Sequence, residues 1–595
     1  MKKIVCALLT MIIAATSAIS LVGCAPSGRE GYDANKSQLI VYSYAGGFGT
    51  DWLDTHARAF EEFYATTSFE NEKEGVQVWV EKDKTHPTQT LDNMLFDQYD
   101  VLFTETVSYT QYSKTSFAPI TDIVNETLEI YGETRSIADK MSSSQRSFLQ
   151  SVNGTYDAEK GEYVGDYYAI PHYAGVMGIS FDVDLWNQEG YWLNETATNI
   201  VGPNYKNTPD DEKPPLSKGV DGISGTYDDG LPATYDEFFK LCSFINRKYV
   251  PLCWSGEHAV GYWNYFFDCL VADYEGAEQF RINFDMEGTA THLVDSYQTI
   301  TSSDTQSDIG KIIDSSMTFK APTQINKNNG YLVKQQAGRA YALSFYERLI
   351  NGGYFPASKV DQQVSHTGNQ LNYLQSSQDS SIFGKRAAMI MDGDYWYKEA
   401  DSAFTQCVEK YSDSMSRENR NFGFMPFPKA TADLVGKGNV FYDYHSAYGF
   451  IKAGLSNDQL NIAKKFLQFC YTDEQLREFT LSTSTAKSLS YDISPIYDDL
   501  SSYGKTLASY IQDPKTTLVE SNSTTDFFEL CQAQLQTKYF WETSLFVGGV
   551  IGWEDRSSIE KLMRKEGISA KDIFDGFTQR YDATQWEVTF GEFLG

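Results

Sequence analysis

The residue spacings that carry catalysis elsewhere are incomplete in this chain. Gly504-Lys505-Thr506 ends like a phosphate-binding loop, but the required upstream glycine is Asp499, so the backbone cradle is missing and the segment reads as a helix start. Gly47-Phe48-Gly49 meets Trp52 where a dinucleotide loop needs a third glycine. There is neither a Gly-x-Ser-x-Gly elbow nor a His-Glu-x-x-His zinc pair, and the seven histidines form no ligand cluster. With 80 Asp and Glu residues, pairs such as Asp228-Asp229 or Asp392 and Asp394 arise by chance and do not by themselves make the acid and base of a glycosidase. No catalytic residue is assigned, and the chain is expected not to be an enzyme.

Two other chemistries are open. In GVDGISGTYDDGLP, Asp221, Asp228 and Asp229 supply hard oxygens while Gly222, Gly225 and Gly230 allow carbonyls to turn inward, which suits a structural Ca²⁺. The spacing is not that of an EF-hand, and an Asp-Gly turn with solvated acids explains it equally well. The second is aromatic. Forty Tyr, 37 Phe and 10 Trp make 15% of the chain, more than core packing ordinarily uses, so a flat, partly apolar ligand is expected. A sugar ring packs its C–H face on aromatic rings, while its hydroxyls want fixed polar partners. Trp52, Trp254, Trp396 and Trp541 all stand near glycines, acids or element ends.

The elements that must position these residues read as α/β. QLIVYSYAGGFGTDWLDTHARAFEEFY is strand, glycine loop and amphipathic helix, with Trp52, Leu53, Ala59, Phe60 and Phe63 on one face. GVQVWVEK and DVLFTE read as strands, and DYYAIPHYAGVMGISFDVDLW as two apolar runs broken at Pro171 and Gly175. Residues 194–232 form a long loop rich in Asn, Pro, Gly and Asp. Three further strands are expected in GKRAAMIMDGDYWYKEA, NFGFMPFPK and SAYGFIKAG. Ser456 to Gln459 then has capping-box spacing ahead of one long helical pattern, and the last hundred residues read mainly helical.

Composition narrows the partners. A net charge of −31 excludes nucleic acid as a probable ligand and disfavours an anionic membrane surface. The opening MKKIVCALLTMIIAATSAISLVGC has two lysines, an uncharged apolar run and Leu21-Val22-Gly23-Cys24, the pattern of a lipoprotein signal. Residues 1–23 are expected to be removed. Cys24 would carry acyl chains of the palmitate kind, and 24–37 would link the folded part to the outer face of the cell membrane. Cys242, Cys253, Cys269, Cys407, Cys470 and Cys531 read as buried free thiols, with a bridge from Cys242 to Cys253 or Cys269 as the minor alternative.

In order, IVYSYAGGFGTDW, DVLFTE, YYAIPHYAGVMGISFDVDLW, GKRAAMIMDGDYWY, YHSAYGFIKAG and FWETSLFVGGVIGW resemble the extracellular solute-binding proteins of sugar ABC transporters, family 1, which include maltose- and oligosaccharide-binding lipoproteins. The resemblance spans about 38–595 and rests on segment order rather than on one motif. It implies a type II periplasmic-binding-protein-like fold with two α/β lobes, a hinge and an interlobe ligand cleft. The N-terminal lobe would comprise 38–172 and 445–489, the C-terminal lobe 173–444 and 490–595, with crossings near 172–175, 444–447 and 489.

Carried over position by position, the ligand would meet Tyr44, Gly46, Gly47, Thr104, Glu105, His172, Tyr173, Trp254, Asp394, Trp396, His445 and Trp541. Glu105 would accept sugar hydroxyls and the tryptophans would stack, with Tyr395 an alternative to Trp396. The implied role is a monomeric receptor that hands an oligosaccharide to membrane permease subunits. A secreted carbohydrate-active enzyme, or the same fold carrying a peptide, polyamine or metal complex, are the competing readings.

Overall fold

The computed structural model describes residues 29–83, 98–105, 107, 109–113, 115–152, 154–157, 159, 162–254, 259–356, 364–443, 445–520, 563, 567–580 and 582–594. The signal, Cys24, Cys531 and Trp541 lie outside them. The chain runs β1 (Ser37–Tyr44), α1 (Asp51–Phe63), β2 (Val76–Asp83), β3 (Val101–Thr104), α2 (Ser143–Ser151), β4 (Ala169–Pro171), β5 (Met177–Asp182), α3 (Val183–Glu189), β6 (Val250–Cys253) and α4 (Ala259–Asp285). It continues with α5 (Ala337–Asn351), β7 (Ala387–Gly393), α6 (Trp396–Glu399), β8 (Phe422–Met425), β9 (Val440–Asp443), β10 (Tyr448–Ile451), α7 (Asn457–Phe469), α8 (Asp473–Thr483), α9 (Ser502–Gln512) and β11 (Thr517–Glu520).

Two sheets organise it. The first has the order β2-β1-β3-β10-β4, with β1 parallel to β2 and β3, and β10 antiparallel to β3 and β4. The second has the order β8-β5-β7-β6, with β7 parallel to β6 and antiparallel to β5. The central strands are continuous apolar runs because helices cover both faces. Thus β7 is buried along its whole length, and β1 at all but Gln38 and Tyr44.

Helix α1 buries Trp52, Leu53, His56, Ala57 and Phe60. The expected stripe included Ala59 and Phe63, but Phe63 is 48% exposed and His56 takes a core position. The single long helix expected after Ser456 is two, α7 and α8. Thr472 Oγ1 accepts from Gln475 N at 3.4 Å and starts the second, so a side-chain cap rather than a glycine or proline makes the break. Ser456 Oγ caps α7 through Gln459 N at 3.3 Å, and Gly504-Lys505 does open a helix, α9, capped by Ser501.

The chain passes between the sheets three times. Residues 172–176 join β4 to β5, residues after β9 lead to β10, and the segment after α8 leads to α9, whose Thr506 Oγ1 accepts from Phe424 N of β8 at 2.9 Å. The third passage is fastened at both ends. Thr485 Oγ1 donates to Asp394 Oδ2 at 3.0 Å beside the second sheet, and Gln145 Nε2 of α2 donates to Ser488 O at 2.8 Å.

Between them Lys487 is fully buried. Its Nζ has no hydrogen-bond partner and lies 5.0, 5.5, 4.3 and 4.8 Å from the ring centroids of Trp52, Phe103, Tyr471 and Phe479. Burial lowers its pKa to about 7.

A buried ion cluster holds the second sheet. Asp182 Oδ1 caps α3 through Leu185 N at 3.1 Å, while Oδ2 accepts from Arg420 Nη2 at 2.7 Å and from Arg386. Burial alone would push this carboxyl up. The two guanidiniums outweigh it, and the pKa ends below the ordinary aspartate value.

Candidate functional site

Loops from both sheets and two of the passages converge on one group of side chains. From the first sheet come Tyr44 at the end of β1, the Gly46-Gly47-Phe48 turn and Glu105 just after β3. The first passage brings Tyr173, the second His445, and the turn before α6 brings Tyr395. Tyr173 hydroxyl donates to Glu105 Oε2 at 2.6 Å, and His445 Nδ1 stands 3.8 Å from the same oxygen.

The rings interlock around that carboxylate. Phe48 meets Tyr173 edge-on at 4.4 Å between centroids and Tyr395 at 6.1 Å, and Tyr395 lies 5.1 Å from His445. Burial, then the charge of Glu105, pushes the Tyr44 hydroxyl up to about 12, and the same two causes raise Tyr173. Both phenols therefore stay protonated and can donate. Gly175 has φ +63°, and a side chain there would strike the His445 ring, so the first two passages cross only because this position is glycine.

The residues expected from sequence are not all gathered here. Tyr44, Gly46, Gly47, Glu105, Tyr173 and His445 are. Thr104 is buried on β3, paired to Tyr448, with its hydroxyl unpartnered. His172 turns the other way, into the box around Lys487, with its centroid 5.0 Å from Trp52 and 5.2 Å from Phe103. Burial, then Lys487, lowers its pKa well below the ordinary value. Asp394 is buried beside the third passage, where burial raises its carboxyl to about 7.

Trp396 is fully buried, gives its Nε1–H to Ser180 Oγ at 2.7 Å and packs on Phe422 at 5.3 Å, so it is core. Of the two adjacent rings, Tyr395 is the one that reaches the other lobe. Trp254, 4.3 Å from Phe355, is also packed inside. Phe48 was not singled out from sequence; a lone aromatic in a glycine turn at the end of a central strand is the signal that finds it.

The Asp221 loop closes on itself. Asp228 Oδ2 accepts from Asp221 N at 3.1 Å, Asp221 Oδ1 from Ile223 N at 2.6 Å, and Asp229 Oδ2 from Gly225 N at 2.7 Å. Among the described residues no three His, Cys, Asp or Glu side chains are gathered to hold a metal ion. These hydrogen bonds give the loop the internal ties of an Asp-Gly turn, one of the two readings its sequence allows. Among the described residues, too, no helix is long and apolar enough to cross a membrane.

No family model matches the chain, and no curated relative does either. Solved structures do. A mannobiose complex of an ABC-transporter binding protein, BlMnBP1 from Bifidobacterium animalis subsp. lactis, aligns over 93% of this chain and 95% of its own at 13% identity, TM-score 0.46. A cyclic α-maltosyl-1,6-maltose binding protein from Arthrobacter globiformis aligns over 93% and 100% at 12% identity, TM-score 0.45. RafE from Streptococcus pneumoniae aligns over 94% and 100% at 11% identity, TM-score 0.47. Strand order and the three chain passages divide the protein into two α/β lobes, one built on each sheet.

Proposed function

We propose that the protein is a lipid-anchored receptor that captures a carbohydrate between its lobes and presents it to a membrane permease. The observation that carries this reading is the Glu105 carboxylate, oriented by the Tyr173 hydroxyl and ringed by Tyr44, Phe48, Tyr395 and His445 from both sheets and two passages. A fixed acceptor among aromatic faces is the chemistry of sugar recognition. Joining of the lobes by three passages supports capture by closure, as does the order of segments in the sequence.

Isothermal titration with neutral oligosaccharides tests the proposal directly. A member of the panel should bind, and Glu105→Gln should weaken it about 10–100-fold, the equivalent of a charge-assisted hydrogen bond. If no sugar binds, or Glu105→Gln binds like the parent, the reading fails. Anchoring rests on the lipobox ending at Cys24: Cys24→Ser should move the protein from the membrane fraction to the medium, and retention on the membrane would remove that part of the proposal.

A further inference from the structure

The turn that carries Tyr395 joins the two lobes directly. Its ring is 6% exposed, although it belongs to the second sheet's lobe and stands at the edge of a loop. A Cβ added at Gly47 would come within 2.7 Å of Tyr395 Cβ and 2.9 Å of its ring, so this approach to the first lobe exists only because residue 47 lacks a side chain. Phe48, 2% exposed, closes over the same ring, and His445 of the second passage lies against it. One helical turn further on, Lys398 Nζ reaches Asp51 Oδ2 at 3.5 Å, at the first turn of α1 in the opposite lobe. Asp51 is 75% exposed, so this outer pair contributes little and Tyr395 dominates.

We propose that Tyr395 is an internal occupant of the interlobe cleft: its ring docks on Gly47 and Phe48, holds the ligand-free receptor closed, and must be displaced from this seat when a ligand enters. The inference rests on the receptor reading above and adds a competitor built into the chain. A closed free form lowers the fraction of molecules ready to bind, so apparent affinity falls in proportion to the open fraction. Tyr395 thereby lowers the apparent affinity for every ligand by the same factor.

Spin labels at Glu129→Cys and Ser380→Cys, exposed positions in the two lobes, give the interlobe distance in the full chain without any sugar. Cys531→Ser is included, and the five described cysteines are buried. The parent and Tyr395→Phe, which keeps the ring, should show one short distance. Gly47→Ala and Tyr395→Ala should shift the distribution to longer, broader distances. Asp51→Lys should produce a smaller shift that Lys398→Asp restores.

A long distance in the ligand-free parent, or a short one in both Gly47→Ala and Tyr395→Ala, overturns the proposal. Since Gly47→Ala and Tyr395→Ala must also keep the parent's far-ultraviolet circular dichroism and unfold cooperatively in urea, misfolding is separated from opening. No sugar is present, so failure here leaves the titration result standing, and failure of that titration leaves the distances standing.

Discussion

Lys487→Met is expected to stabilise the protein by about 4 kcal/mol more at pH 6 than at pH 10, a difference set by the lysine's pKa displacement at about 1.4 kcal/mol per unit. The amine has no hydrogen-bond partner in its aromatic box, and its pKa falls from 10.5 to about 7 because burial disfavours the ammonium. Folding therefore releases a proton between those two values. The parent's stability should rise with pH through that window, and below it the full penalty of the buried charge remains.

The four surrounding rings oppose this, since each desolvated cation–π contact is worth up to about 2 kcal/mol. They do not replace the water bonds that three N–H groups lose, so burial prevails. His56 and His172 beside it are held below the ordinary histidine pKa and stay neutral in that range. Urea unfolding of parent and variant from pH 6 to 10 reads the effect. Parallel profiles would mean the ammonium persists and the rings alone support it.

Asp182→Ala should have the opposite sign and a similar size, a loss of about 3–5 kcal/mol at neutral pH. The substitution removes the cap of α3 and leaves Arg386 and Arg420 without their shared carboxylate, with the Arg420 side chain 9% exposed. Its folded pKa is below the ordinary value, so this stabilisation is present above the unfolded carboxylate pKa and fades as pH falls through the folded one. Urea midpoints of parent and variant should accordingly converge in acid. A variant with an unchanged midpoint at pH 7 would show that the two guanidiniums are satisfied without it.

How much was legible beforehand depended on which signal each segment carried. The central strands announced themselves, because runs such as LIVYSY and AAMIMDG have no polar face to expose and must be covered on both sides. The break between α7 and α8 did not, since Cys470-Tyr471-Thr472 is apolar and helical in pattern and only the Thr472 hydroxyl ends the run. The site carried a different signal. Tyr44, Glu105 and Tyr173 stand at or just past strand ends, and it was the resemblance in segment order, not any local pattern, that singled them out.

Tyr395 and Trp396 could not be told apart, because successive residues of one turn point in different directions and only packing reveals that Trp396 faces Ser180. Lys487 was invisible for a different reason. A lysine in a Ser- and Thr-rich stretch reads as solvated, and nothing local shows that Trp52, Phe103, Tyr471 and Phe479 close around it.

The five described cysteines are buried and unpaired, and burial raises the thiol pKa of each. A thiol kept in its neutral form and away from solvent is a poor nucleophile and a poor target for oxidants. Among the described residues, therefore, stability rests on packing rather than on disulfides, and a change in redox conditions has no bond in this part of the chain to make or break.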